Sequence, residues 1–240
     1  MTGAAQGMGI AFVEILALNG ARVAMNDVNE ATLRASFEAM RAKGYKVSQF
    51  AANVSSFDEV NAMVGAVEGN LGHIDILVNS AGILRRTRFE NISQDEWKLV
   101  NAVNVDGAFN CCKAVINQMI ERRKGKIINI SSSAGRSTST FGGAHYTTSK
   151  AALLGLTRHL AREAAEYGIN VNAVCPGSID TPMVRTSVSQ KEIDEAIGKI
   201  PMKRLGKPED VANLVLFLAS DASSYITGAS IDINAGELMI

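Results

Sequence analysis

The sequence Thr2-Gly-Ala-Ala-Gln-Gly-Met-Gly9 places three glycines directly before an apolar segment with helical spacing, Gly9–Asn19. A short apolar run, Ala21–Met25, follows that segment and leads to the acidic residue Asp27. Glycines allow the backbone to bend tightly and to approach an anion, whose charge the N-terminus of the next helix stabilises. This order of turn, helix, strand and carboxylate predicts a dinucleotide site in an α/β fold.

Both features of this stretch also have plainer interpretations. The spacing Gly-x-x-x-Gly-x-Gly differs from the G-x-G-x-x-G pattern, so a simple glycine-rich turn is the alternative to a phosphate site. Asp27 alternatively caps the turn into the next helix. In the dinucleotide interpretation Asp27 accepts hydrogen bonds from ribose hydroxyls and repels a 2′-phosphate, since its neighbours Asn26 and Val28 include no arginine. NAD is therefore favoured over NADP.

Short apolar runs and longer amphipathic segments alternate along the rest of the chain. The predicted strands are Ala21–Met25, Val47–Ala51, Ile74–Val78, Lys126–Ile130, Asn170–Val174 and Ser230–Ile233. The predicted helices are Gly9–Asn19, Glu30–Lys43, Phe57–Asn70, Asp95–Arg122, Tyr146–Tyr167 and Pro208–Ala219. Such alternation implies βαβ crossovers. The predicted fold class is α/β, a Rossmann-type doubly wound parallel sheet with helices on both faces, and its ligands are expected beyond the carboxyl ends of the strands.

One element of this architecture is missing from the pattern. The first helix begins within ten residues of Met1, whereas a buried strand is expected before the glycine turn. We therefore expect the first strand to be absent: either the chain is a fragment or a mis-started reading of a longer one, or another segment takes the strand's place. No repeat or linker interrupts the chain, so residues 1–240 are predicted to form one domain with a substrate lid at about 180–203.

Composition excludes several classes of function. Twenty-four basic residues balance 24 acidic ones, so no general field attracts nucleic acid or an anionic membrane. No apolar run reaches the roughly 20 residues of a membrane span, and no signal peptide is evident. The three cysteines form neither a disulfide framework nor a CxxC site, which is typical of a reducing compartment, and no cluster has metal-ligand spacing. We expect a cytoplasmic protein without a metal.

Two groups of residues carry candidate chemistry. Tyr146 and Lys150 lie four residues apart on a predicted helix, so both side chains emerge on one face. A phenol with an ordinary pKa near 10 needs roughly 4 kcal/mol of phenolate stabilisation to titrate near neutrality, which a lysine and a cationic nicotinamide could supply. Ser131, Ser132 and Ser133 follow a predicted strand and offer hydroxyls to a substrate carbonyl. A solvated Tyr–Lys pair and a serine-rich turn are the alternatives.

The motifs together resemble the short-chain dehydrogenase/reductase family. Their order and approximate spacing match across essentially the whole chain: Thr2-Gly-x-x-x-Gly-x-Gly9, Asn79-Ser-Ala-Gly82, Asn104, Ser132 with Gly135, Tyr146-x-x-x-Lys150 and Pro176-Gly177. The resemblance implies that Tyr146 is the general acid/base, that Lys150 lowers its pKa and contacts the nicotinamide ribose, and that Ser132 polarises the substrate oxygen. Ser133 remains the alternative to Ser132. Asn104 would hold a water that links Lys150 to solvent.

The resemblance also implies a set of cofactor-binding residues. They are Thr2, Gly3, Gln6, Gly7, Met8, Gly9, Asp27, Asn53, Val54, Asn79, Ala81, Gly82, Tyr146, Lys150, Pro176, Gly177, Ile179 and Thr181. Three places depart from the common family pattern: Ser80 replaces a second Asn, Asn53 replaces an Asp, and Asn234-Ala-Gly236 replaces Asp-Gly-Gly. The lone polar residues Arg136 and His145 are interpreted as ordinary exposed loop.

The expected activity is hydride transfer between NAD(H) and a secondary alcohol or ketone, with a polyol, sugar or hydroxy-acid derivative suiting the NAD preference. The alternatives are a 3-oxoacyl carrier-protein or thioester reductase, whose relatives usually use NADPH, and a non-catalytic dinucleotide-binding scaffold. Two predicted helices, Asp95–Arg122 and Tyr146–Tyr167, carry more apolar residues than one sheet face needs. A homotetramer is therefore expected, as in the family.

Overall fold

The computed structural model describes residues 1–240 as six parallel strands alternating with nine α-helices. The strands are β1 (Val23–Asp27), β2 (Val47–Ala51), β3 (Ile76–Asn79), β4 (Gly125–Ile130), β5 (Ile169–Pro176) and β6 (Ser230–Ile233). The helices are α1 (Gly7–Leu18), α2 (Glu30–Ala42), α3 (Phe57–Leu71), α4 (Gln94–Asn101), α5 (Gly107–Arg122), α6 (Ala144–Ala164), α7 (Pro182–Ser187), α8 (Gln190–Lys199) and α9 (Pro208–Ala219). The predicted α/β class is confirmed, and the predicted strands and helices are present with ends that shift by a few residues.

The helices pack on both sides of the strands. On one side α1, α2 and α9 bury Phe12, Leu33 and Val215 in a single cluster with strand residues of β1, β3, β4 and β5. On the other side α3, α5 and α6 bury a second cluster that includes Val64 and Met119. Burying large aliphatic side chains contributes about 1.5–3 kcal/mol each, so these two layers hold the strands in place.

The strands form two hydrogen-bonded groups rather than one continuous sheet. β1 pairs with β2, and β3, β4, β5 and β6 pair in that order. Between β1 and β3 lies a cavity of about 370 Å³ with a mostly apolar lining. Only Met1 and Thr2 bridge it: the Met1 amino group donates to Ala24 O (2.9 Å) and the Thr2 N–H donates to Val78 O (3.0 Å). The first strand, which we expected to be absent, would therefore lie in this gap between β1 and β3.

Two predicted segments differ from the structure. The predicted helix Asp95–Arg122 is α4 and α5 joined by a π-helical turn, Ala102–Asp106. Such turns arise where side-chain contacts displace the regular helical hydrogen bonds. The lid region at about 180–203, whose sequence has a short helical pattern near Gln190–Lys199, contains both α7 and α8. These helices enclose a small core of Val188, Ile193, Ile200 and Leu205. No helix has the length and apolar character needed to cross a membrane.

Candidate active site

Two adjoining clefts open at the carboxyl ends of the strands, where ligands of doubly wound folds bind. The larger cleft, about 360 Å³, runs between the glycine turn, the ends of β1 and β2 and the segment after β3. The smaller, about 80 Å³, lies between the end of β4, the start of α6 and the loop after β5. Met8, Thr181 and Met183 line both clefts, so the clefts meet at these residues.

Two close backbone approaches and two glycines with positive φ give the glycine turn its shape. Gly3 has φ +63°, and a Cβ there would lie 2.8 Å from the backbone of Ala81. Gly7 has φ +58° and marks the start of α1. A Cβ on Gly9 would lie 1.8 Å from Gly3 O. The Thr2 hydroxyl accepts the N–H groups of Ser80 (3.1 Å) and Ala81 (3.2 Å), which ties the turn to the end of β3.

The first prediction concerns this turn. Gly9→Ala is expected to lower the melting temperature and to weaken NADH binding at least about tenfold, because backbone rather than a flexible side chain opposes the new methyl group. Forcing a methyl group into packed backbone costs typically about 1–3 kcal/mol. Differential scanning fluorimetry and an NADH titration measure both effects. The control is Gly65→Ala in α3, where nothing lies within 4 Å, and unchanged NADH binding by Gly9→Ala would contradict the account.

Asp27 ends β1 and is the one charged side chain among the 20 residues that line the larger cleft. Its two carboxylate oxygens accept the backbone N–H groups of Ala5 (3.3 Å) and Asn29 (3.1 Å). These bonds hold the carboxylate against the glycine turn while it still faces the cleft. Asp27 also caps a turn, as the alternative interpretation has it, because it accepts the N–H of Asn29 two residues further along the chain.

Further residues predicted for the cofactor lie around the same cleft. Ala81 and Gly82 line it beyond β3, and Asn53 and Val54 line it beyond β2. Asn79 is different: its side-chain amide donates to Asn129 Oδ1 (2.9 Å) inside the core and is not part of the lining. Any contribution of Asn79 to cofactor binding therefore passes through the backbone that it anchors.

Tyr146, Ser132 and Lys150 come together where α6 passes the end of β4. Tyr146 and Ser132 line the smaller cleft. Lys150 Nζ lies 5.7 Å from the centre of the Tyr146 ring and donates a hydrogen bond to Ile130 O (2.8 Å). Ser133, the alternative to Ser132, also lines the cleft but begins a 3₁₀ turn, whereas the Ser132 hydroxyl interacts with the Tyr146 phenol.

Burial dominates the protonation of this cluster. It raises the pKa of Tyr146 above its ordinary value, and the hydrogen bond with Ser132 opposes this only in part. Burial also lowers the pKa of Lys150 to about 8. That Lys150 lowers the pKa of Tyr146 stays a prediction, since among the neighbouring side chains only Ser132 opposes the effect of burial on this pKa. At neutral pH the phenol keeps its proton and the lysine keeps its charge.

Asn104 lies in the π-helical turn and is buried beside Lys150. Its side chain accepts the N–H of Ile83 (2.8 Å) and donates to the Ser149 hydroxyl (3.0 Å), which in turn donates to Tyr146 O (2.8 Å). A Cβ on Gly82 would lie 3.3 Å from Asn104 Oδ1 and 3.5 Å from Lys150 Nζ. Gly82 therefore leaves a small space between these two polar groups.

His145 corrects the sequence analysis, which interpreted it as exposed loop. The side chain is fully buried, and its Nδ1 accepts the N–H of Tyr146 (2.9 Å). The other ring nitrogen therefore carries the proton and donates to Glu96 Oε1 (2.6 Å). Hydrogen bonds from Thr87 and His145 lower the pKa of Glu96. This pair fixes the first turn of α6, on which Tyr146 lies.

Arg136, which the sequence analysis also interpreted as exposed loop, is half-buried and forms an ion pair with Asp232 (3.2 Å).

The loop after β5 connects the two clefts. Pro176, Gly177 and Ile179 line the smaller one, and the side chain of Ile179 is also part of the main core. Thr181 lines both clefts and caps α7 by accepting the N–H of Val184 (3.4 Å). Glu237, near the C-terminus, reaches the smaller cleft as well. No sequence motif indicated Glu237, because its contacts are to residues at least 59 positions away.

A glycine turn, a carboxylate at the end of β1 and a Tyr–Lys pair at one sheet edge define an oxidoreductase that works with a nicotinamide dinucleotide. The family model described as enoyl-(acyl carrier protein) reductase matches residues 3–237. The chain belongs to the short-chain dehydrogenase/reductase family, so the predicted family is confirmed.

Known proteins of this family resemble the chain over its whole length. A 3-oxoacyl-[acyl-carrier-protein] reductase of Thermotoga maritima is 39% identical over 236 residues, 98% of this chain and 95% of the relative. The structure of a 3-oxoacyl-[acyl-carrier protein] reductase from Brucella melitensis with bound NAD matches with a TM-score of 0.90 and 36% identity, covering 100% of this chain and 90% of the other. A gluconate 5-dehydrogenase from Burkholderia cenocepacia, in complex with NADP and tartrate, matches with a TM-score of 0.92 and 32% identity, covering 98% and 92%.

Proposed function

We propose that this enzyme reduces the 3-oxo group of an acyl thioester or a related small ketone to a secondary alcohol, with NADH as the reductant. The substrate is that of the alternative in the sequence analysis, because the names of similar relatives favour thioester ketones over polyols, while the cofactor is that of its first choice. The observation that carries the chemistry is the half-buried Tyr146 beside Ser132 in the smaller cleft.

The larger cleft fits a dinucleotide. Its glycine turn brings backbone N–H groups at the start of α1 toward the cleft, as a pyrophosphate requires, and Cβ atoms at Gly3 or Gly9 would collide with backbone. Asp27 is suited to ribose hydroxyls, and no Lys or Arg among the lining residues would offset its repulsion of a 2′-phosphate. These features support NAD rather than NADP, although the comparison proteins include both.

The residues of this chain supply positioning and the proton. Bound NADH supplies the hydride in reduction. The Ser132 hydroxyl donates a hydrogen bond to the substrate carbonyl, and Tyr146 transfers its phenolic proton to the oxygen as the alcohol forms. The ammonium of Lys150 stabilises the phenolate that remains. The polar atoms around Asn104 provide the route by which a proton from solvent returns to the site.

Initial rates test this proposal directly. NADH and NADPH at equal concentration are compared on acetoacetyl-N-acetylcysteamine, a neutral 3-oxoacyl thioester, and the reverse reaction is measured with NAD on a panel of polyols. We expect NADH to support reduction of the thioester at least about 100-fold better than NADPH. Turnover of a polyol without turnover of the thioester would favour the first choice of the sequence analysis. Binding of NAD without any turnover would favour a scaffold.

The assembly is a further part of the proposal. Leu99 on α4 and Phe109 on α5 are large apolar side chains with 47% and 51% of their surface exposed. Exposed apolar surface on these helices supports packing against a second copy, and a homotetramer is the state we propose. Light scattering should give four times the chain mass, whereas a monomeric mass would contradict the proposal.

A further inference from the structure

Glu237 is the one charged side chain that lines the smaller cleft, which it shares with Tyr146. The other lining residues are apolar or carry hydroxyl groups, and none is Lys, Arg or His. A carboxylate in so small a cleft, with no cation among the other lining residues, repels an anion that enters the cleft.

Three hydrogen bonds from two parts of the chain hold this carboxylate in place. Oε2 accepts the N–H of Ser178 (2.8 Å), and Oε1 accepts the hydroxyls of Ser178 (3.0 Å) and Thr140 (3.0 Å). Ser178 belongs to the loop after β5, and Thr140 to the segment before α6. These donors fix both carboxylate oxygens in position, since each of them bonds to a lone pair.

The backbone around Glu237 is shaped to admit the carboxylate. A Cβ on Gly177 would lie 2.5 Å from Glu237 Oε2, so only glycine at that position leaves the necessary space. The turn that presents Glu237 passes through Ala235 (φ +54°) and Gly236 (φ +81°), both in the left-handed region. A non-glycine residue in this region is uncommon, which indicates that the turn is held by its surroundings.

We infer that Glu237 selects the substrate by charge: it excludes ketones that carry a carboxylate near the reacting carbon and admits neutral ones. The inference rests on the proposed function, because it describes the ketone that enters the same cleft. It restricts the substrate class to neutral ketones such as 3-oxoacyl thioesters, in which the carboxyl group is bound as a thioester and carries no charge.

The test uses two ketones of nearly equal shape, acetoacetamide and acetoacetate, with NADH. We expect kcat/KM of the intact enzyme to be at least about tenfold higher for the amide, because the anion meets a like charge. In Glu237→Gln the ratio should fall to within about threefold of one, through a gain on acetoacetate. Glu209→Gln, which removes an exposed carboxylate on α9, is the matched control and should keep the original ratio.

The outcomes separate this inference from the proposed function. Absence of turnover on every ketone, thioesters included, would overturn the proposed function and the inference with it. Turnover of acetoacetamide with an amide-to-acid ratio near one in the intact enzyme would overturn the inference alone. Equal losses on both ketones in Glu237→Gln, with the ratio unchanged, would assign Glu237 a purely structural role and would also overturn it.

A cationic ketone keeps the inference testable if Glu237→Gln does not fold. The intact enzyme should reduce 4-ammonio-2-butanone with a kcat/KM at least equal to that for acetoacetamide, since the cation is attracted to Glu237. The order cation, neutral, anion supports the inference. An enzyme that prefers acetoacetate to either of the other two ketones contradicts it.

Discussion

Tyr146→Phe is expected to lower kcat/KM for ketone reduction by about 10² to 10⁴, the usual contribution of a positioned general acid. The substitution removes a single hydroxyl from a half-buried side chain beside Ser132, so the ring still fills its place against α6. NADH binding should change little, because the cofactor cleft is lined by other residues. Steady-state rates and an NADH titration on the same preparation measure the two quantities.

Tyr225→Phe is the matched control for this substitution. Tyr225 is fully exposed, so loss of its hydroxyl should leave both rates and binding at the values of the intact enzyme. If Tyr146→Phe retained most of the ketone reduction, another group would have to donate the proton. The role given to the Tyr146 phenol would then be wrong.

Asp27→Asn is expected to change the ratio of kcat/KM for NADH to that for NADPH by about 10² or more in favour of NADPH. A carboxylate and a phosphate about 4 Å apart repel by about 4 kcal/mol at an effective dielectric constant near 20, and the substitution removes that repulsion. The single amide oxygen of Asn can accept only one of the N–H groups of Ala5 and Asn29, so the turn keeps one of its two bonds. That loss affects both cofactors alike, whereas the repulsion that is removed acts on NADPH alone.

Asp221→Asn provides the control for Asp27→Asn. Asp221 is exposed and does not line the cofactor cleft, so its neutralisation should leave the NADH to NADPH ratio unchanged. An intact enzyme that uses both cofactors equally would show that Asp27 does not discriminate between them. The proposal of NAD would then fail while the family and the fold stand.

The elements of this fold were predictable from sequence because each strand and helix has its own local periodicity. β2 and β6 were predicted with the observed ends, and α9 was predicted with both of its ends. The glycine turn and the Tyr146–Lys150 pair were predictable for the same reason, since their spacing is local. The π-helical turn Ala102–Asp106 was not, because no local spacing sets it apart from the helices on either side.

Contacts distant in sequence also explain the two site residues that the sequence analysis missed. His145 is buried because Glu96, 49 residues before it, accepts its ring proton. Glu237 faces the smaller cleft because Ser178 and Thr140 donate to it from 59 and 97 residues away. Neither partner has a fixed spacing that a pattern could detect. A histidine beside Tyr146 offered only a weak signal, since a single polar residue in a loop is usually solvated.

Transfer of deuterium tests the central claim most directly. The intact enzyme is given a 3-oxoacyl thioester and NADH deuterated at the transferring position of nicotinamide C4, in ordinary water, and the alcohol is analysed by mass spectrometry and NMR. The account predicts one deuterium on the new carbinol carbon, with Tyr146→Phe forming the same labelled product more slowly. Alcohol without deuterium at that carbon, or no alcohol at all from an enzyme that binds NADH, would contradict it.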